Sequence, residues 1–148
     1  MERFKLIPEV SLVWIKDGKV LLLRRANTGW QDGKYCFPAG HVEEGETMKE
    51  TGVRESFEEA GLTIDPKNLK FLHVQHRWHT DAGGHSRVGF YFTPISDPGE
   101  PYNAEPEKCD DMQWFPLDNL PDMVEPFRAA FDAIQRGEKY SEFGWDKK

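Results

Sequence analysis

The hydrophobic pattern of this chain changes period several times, and each change predicts an element. Residues 10–15 and 19–25 are β-rich runs joined by Asp17-Gly18, a pair that readily takes positive φ. They predict an antiparallel hairpin at the start of the fold. Residues 26–34, with Asn27, Gly29 and Asp32-Gly33, carry loop chemistry, and the short run Tyr35-Cys36-Phe37 follows. Further on, residues 69–79 and 87–95 read as two long strands separated by Asp81-Ala82-Gly83-Gly84, a second hairpin signal. Residues 96–110 hold Pro98, Pro101, Pro106 and several acids, which predicts an irregular loop before a strand at 112–115. A loop of that length in a compact domain is frequently a lid or a binding segment. Residues 121–137 return to helical spacing, with Val124, Phe127, Ala130, Phe131 and Ile134 as an apolar stripe and Gly137 as the stop.

The remaining helix is of a different kind. Thr47 and Glu50 have the spacing of a capping box, so a helix is expected to begin near Met48 and to end at Gly61. At about 100° per residue, Glu55, Glu58 and Glu59 fall within an arc of about 100°, with Val53, Phe57 and Ala60 on the opposite side. One face reads as acidic and the other as core. Carboxylates so crowded repel one another. Arg54, Lys49 or a bound hard cation such as Mg²⁺ or Mn²⁺ would offset that repulsion. Gly52 inside this helix costs about 1 kcal/mol against alanine and implies close packing.

Gly40, Glu46, Arg54-Glu55, Glu58-Glu59 and Gly61-Leu62 together resemble the Nudix hydrolase signature, G-x5-E-x7-R-E-U-x-E-E-x-G-U, with U a bulky aliphatic residue. Every charged and glycine position is filled. Ser56 stands at the first U position, a departure that bears on packing rather than catalysis. The resemblance in element order runs from about residue 6 to residue 137. It implies a single α/β domain spanning 1–148, an α/β/α sandwich with a mixed central sheet. It also implies metal-assisted attack of water on a phosphorus of a nucleoside di- or triphosphate.

Carried over position by position, the resemblance makes Glu55, Glu58 and Glu59 the metal ligands for Mg²⁺, with Mn²⁺ as an alternative. The carbonyl of Ala39, where the family usually has glycine, completes the shell, provided Ala39 has an ordinary backbone conformation. Glu46 is expected to pair with Arg54 and hold the turn against the helix. The proton acceptor stays open among these acids and a late-chain carboxylate. Of Glu105, Glu107, Asp110 and Asp111, Glu107 is preferred. Arg25 and its neighbour Arg24 are candidates for phosphate oxygens. Trp30 and Tyr35, with Phe37, Trp78 and Trp114 behind them, are candidates to stack on a base. A nucleoside triphosphate, cleaved to monophosphate and pyrophosphate, is the first substrate class. ADP-ribose, nucleotide sugars and dinucleoside polyphosphates form the second. A nucleotide sensor without turnover is the competing class, disfavoured because sensors often lose motif carboxylates.

Composition narrows this picture. The 148 residues suffice for one core without staples, and 13% aromatic content supports a packed fold. A formal charge of −7 argues against nucleic acid polymers and acidic membrane surfaces as partners. There is no apolar run of transmembrane length and no secretory leader, so a soluble cytoplasmic protein with a small-molecule nucleotide substrate is expected. Cys36 and Cys109 lack metal or redox spacing and read as free thiols. His73, His76 and His79 look like a zinc triad, but strand alternation puts His76 on the other face. In the tail after residue 138, Tyr140, Phe143 and Trp145 are placed to dock on the body. Members of the family are often homodimers, and the sequence marks no interface.

Overall fold

The computed structural model describes residues 1–148. Nine strands and two α-helices follow in the order β1 (Ile7–Leu12), β2 (Ile15–Lys16), β3 (Lys19–Arg25), β4 (Tyr35–Cys36), β5 (Ala39–His41), α1 (Met48–Ala60), β6 (Leu69–His79), β7 (His85–Pro94), β8 (Cys109–Pro116), α2 (Glu125–Gln135) and β9 (Tyr140–Phe143). The central sheet is mixed, in the order β5-β1-β7-β6-β9, with β1–β7 and β6–β9 parallel. Tyr91 packs toward α2 with Phe37, Phe127 and Phe131, whereas its neighbour Phe92 packs toward α1 with Val10, Ala60 and Leu69. Alternation on β7 thus gives each face of the sheet its own core and its own helix.

A second, antiparallel sheet was not anticipated. β8 runs along β3, while β2 and β4 pair with its two ends. The expected Asp17-Gly18 turn is present, with φ of 52° and 74°, but it joins only β2 to β3. The run at 10–15 is broken: β1 lies in the mixed sheet, and the chain crosses to the second sheet through the buried Val13 and Trp14. Continuous hydrophobicity hid that crossing, because Val13 faces one core cluster and Trp14 the other.

Two further expectations need correction, and the tail, which docks on the body as expected, adds a strand. Helix α2 starts at Glu125, because residues 122–124 are held extended against Tyr35, which donates to Asp122 O and accepts from Val124 N. The tail forms the additional strand β9, and Trp145 packs on His76 and Trp78. On α1 the buried side chains are Thr51, Gly52, Ser56 and Ala60, while Phe57 is 58% exposed. A Cβ on Gly52 would stand 3.4 Å from both Val10 and Leu69, so the helix approaches the sheet through its small residues. That rotation turns Glu59 toward the sheet. Ser56, fully buried, satisfies its hydroxyl by donating to Gly52 O at 2.7 Å.

Candidate active site

Helix α1 is fixed at both ends by its own sequence. Thr47 and Glu50 form the capping box, and Gly61 closes the helix at φ 66°. The proline-rich loop after β7 is fastened there: Tyr102 N donates to Ala60 O and Ala104 N to Glu59 O. These bonds occupy carbonyls that a helix terminus leaves open, so the segment is a strap across the end of α1 rather than a free lid.

Arg54 organises the acidic face. Its Nε and Nη2 donate to both oxygens of Glu46, at 2.6 and 3.0 Å, and Nη1 donates to Glu55 at 2.6 Å. Glu58 lies 3.4 Å from the same nitrogen, and Nη2 also donates to His41 O. Glu46 accepts further from Glu43 N and Thr51 Oγ1. Its pKa falls to about 2, first because of the Arg54 hydrogen bond. Glu46 therefore anchors the turn before α1 through Arg54.

Glu59 accepts from Ala39 N with both oxygens, at 3.1 and 3.3 Å. Burial, then the charge of Glu55, pushes its pKa well above the ordinary value, and burial raises Glu55 as well. Ala39 lies outside the positive-φ region, so alanine is accommodated there. Ala39 pairs with Ser11 between the hydrogen-bonded partners Pro38–Leu12 and Gly40–Val10. Such a residue points both its N–H and its carbonyl away from the neighbouring strand, here to the open edge where Glu59 sits. Gly40 allows the approach: a Cβ there would stand 2.1 Å from Glu55 Oε1.

These groups line a cleft of about 420 Å³ with Glu105, Arg24, Arg25, Thr28 and Lys108. No three His, Cys, Asp or Glu side chains are drawn into a single ligand shell. Even so, the donor set fits a hard divalent ion: four carboxylates share one cleft, and two of them carry burial-raised pKa values.

The other candidates separate. Arg25 lines the cleft, with Nε on Trp30 O and Nη2 on Thr28 Oγ1. Arg24 lines it too but is paired with Asp110 at 2.7 Å. Glu107 is exposed and outside the cleft; the turn at 105–108 directs Glu105 inward instead. Tyr35 is no stacking platform: it is buried, donates to Asp111 and packs edge-on against Phe115. Phe37 is core, Trp114 packs edge-on with Trp14, and Trp78 lies against Trp145. Trp30 faces a neighbouring pocket, with the guanidiniums of Arg25 and Arg77 over its ring. Cys36, beside the acids, is buried and pushed up to about 12, an inert thiol. Buried His73 bonds Glu138 O and Ser141, so the histidines on β6 form no metal site.

Residues 5–133 match the family profile described as NUDIX domain. The chain belongs to the Nudix family. It is 36% identical over 124 residues to the ADP-ribose pyrophosphatase of Methanocaldococcus jannaschii, covering 82% of this chain and 70% of the relative. The NAD-capped RNA hydrolase NudC of Chromobacterium violaceum is 33% identical over 129 residues, 87% of this chain, and this chain spans 45% of that protein. Among solved structures, a MutT NUDIX hydrolase from Burkholderia pseudomallei superposes with a TM-score of 0.76 at 27% identity, covering 87% and 98% of the two chains. This chain is therefore a Nudix hydrolase acting on phosphoric anhydride bonds. No helix is long and apolar enough to cross a membrane.

Proposed function

We propose that the chain is a Mg²⁺-dependent hydrolase of a nucleoside diphosphate linked to a second moiety, releasing a nucleoside monophosphate and a second phosphate monoester. The observation that carries this reading is the continuity of the acidic cleft with a second pocket of about 420 Å³: Arg25, Ala39, Gly40 and His41 line both. A substrate with a bulky group on each side of the anhydride uses both spaces. A nucleoside triphosphate, first in the sequence reading, needs only phosphate on one side. The relative from Methanocaldococcus jannaschii, named for ADP-ribose cleavage, points to the same class.

Glu55, Glu58, Glu59 and the Ala39 carbonyl would hold the ion. When bound, it neutralises phosphoryl oxygens and makes water more acidic. Arg54 positions Glu55 and Glu58, while Arg25 and Lys108 bring positive charge to the phosphates. Glu105 takes the proton from water, since its carboxylate is the one in the cleft engaged by no protein donor. Water oxygen bonds to phosphorus as the bridging P–O bond breaks, and each product leaves with one phosphate.

A Mg²⁺-dependent screen over ADP-ribose, nucleotide sugars, dinucleoside polyphosphates and plain or oxidised nucleoside triphosphates tests the reading. Preference for a two-sided substrate, with both monophosphate products, is expected. Exclusive turnover of triphosphates with pyrophosphate release would overturn it, as would binding without turnover, the behaviour of a sensor.

A further inference from the structure

The second pocket is electrostatically opposite to the cleft it joins. Its floor is a buried charge cluster in which one carboxylate faces two guanidiniums. Glu9, on β1, lies 3.0 Å from Arg77 on β6 and 3.2 Å from Arg87 on β7. Arg77 is 2% exposed, and its Nε has no hydrogen-bond partner. Arg87 spends Nε on His85 and Nη1 on Glu9 and His41, which leaves Nη2 without a protein acceptor. The remaining charged groups on the wall are Arg25 from β3 and Asp81 from the β6–β7 turn, the latter 3.3 Å from His79. Trp30 and Phe127 supply the apolar sides, each with the Arg77 guanidinium over its ring.

At the floor two guanidiniums face the single carboxylate of Glu9, which leaves a surplus of positive charge in a protein whose formal charge is −7. Arg77 Nε is sealed beneath Trp30 and Phe127, so the donor left for a ligand is Arg87 Nη2, and largely buried positive charge of this kind is costly unless an anion completes it. Guanidinium forks match phosphate geometry better than ammonium does.

We propose that this pocket binds a second, non-scissile phosphate monoester of the substrate, with Arg87 as its principal donor. Resting on the two-sided reading above, it names the substrate class as nucleotides phosphorylated away from the anhydride. The acidic cleft holds the bond that breaks, and the arginine pocket reads the phosphate that stays.

Calorimetry without metal separates the two ideas, because it requires no turnover. AMP is compared with adenosine 2′,5′-bisphosphate and adenosine 3′,5′-bisphosphate on wild type, Arg87→Gln and Arg87→Lys. Wild type is expected to bind one bisphosphate about tenfold tighter than AMP, as one charge-assisted contact allows. The position preferred tells which ribose hydroxyl carries the phosphate. Arg87→Gln should lose the difference, and Arg87→Lys should keep part of it, both with melting curves near wild type. Equal affinities for all three ligands in wild type would overturn the proposal. So would an unchanged preference in a folded Arg87→Gln. If Arg87→Gln does not fold, the wild-type ranking and Arg87→Lys decide. A clear bisphosphate preference with no anhydride turnover would sink the hydrolytic reading and leave the pocket assignment standing.

Discussion

Glu59 carries opposing demands. Its pKa is raised by burial and by Glu55, so between the unfolded value near 4.5 and the raised folded value the native chain binds more protons than the unfolded one. Glu59's contribution to the stability of the metal-free protein is therefore fully present below the ordinary carboxyl range and is lost as pH rises through the folded value, opposite in sign to that of Glu46. Glu59→Gln keeps an acceptor for Ala39 N and removes the buried charge. It should raise the metal-free melting temperature by a few degrees at pH 8, on the order of 1 kcal/mol. Wild type is expected to melt higher with Mn²⁺, and Glu59→Gln should abolish that shift. Thermal melts at pH 5 and pH 8, with and without Mn²⁺, measure both effects; a metal-induced shift equal to wild type would contradict them. Gly40→Ala is the complementary case. The added Cβ meets the Glu55 side chain, not backbone, so the fold should persist while kcat falls by at least about tenfold as that carboxylate is pushed off Arg54. Steady-state kinetics beside a melting curve will separate displacement of Glu55 from unfolding.

At the scale of elements, α1 shows why its glycines are not equivalent. Gly52→Ala places a methyl at ordinary contact distance from Val10 and Leu69 and improves helix propensity, so it should stabilise by about 0.5–1 kcal/mol. Gly61→Ala must hold φ near 66° and would drive its Cβ to 2.1 Å from the Tyr102 ring, so it should destabilise by more than that gain. Denaturant unfolding of the two variants reads both signs. The caps, the acidic spacing and the β6–β7 hairpin were legible in the sequence because each is a local rule. The orientation of α1 was not: helical periodicity ranked Phe57 above Gly52 and Ser56, whereas close approach to the sheet selected side chains by size. Likewise Glu107 and Glu105 are equivalent in sequence, and only the turn that carries them decides which enters the cleft.

At the scale of the whole molecule, the site lies where the two sheets meet. Arg25 comes from the antiparallel sheet, Ala39 from the edge of the mixed sheet and the glutamates from α1. The arginine pocket draws on the β6–β7 hairpin, where Arg77 and Arg87 are cross-strand partners, and on β1, distant in sequence and brought beside them through the parallel β1–β7 pairing. The hairpin pairs Arg77 with Arg87 locally, but no local pattern brings Glu9 to them, which is why sequence reasoning reached the acidic motif and missed the pocket beside it. We propose that the α1 carboxylates hold the ion that drives hydrolysis, and Glu58→Gln tests this most directly. Glu58 is half exposed and only loosely held by Arg54, so its loss leaves the fold intact. With saturating Mg²⁺ and the best substrate of the screen, kcat is predicted to fall about 10²–10⁴-fold with a wild-type melting curve. Near-normal turnover by that folded variant would contradict a metal-binding role for the α1 carboxylates.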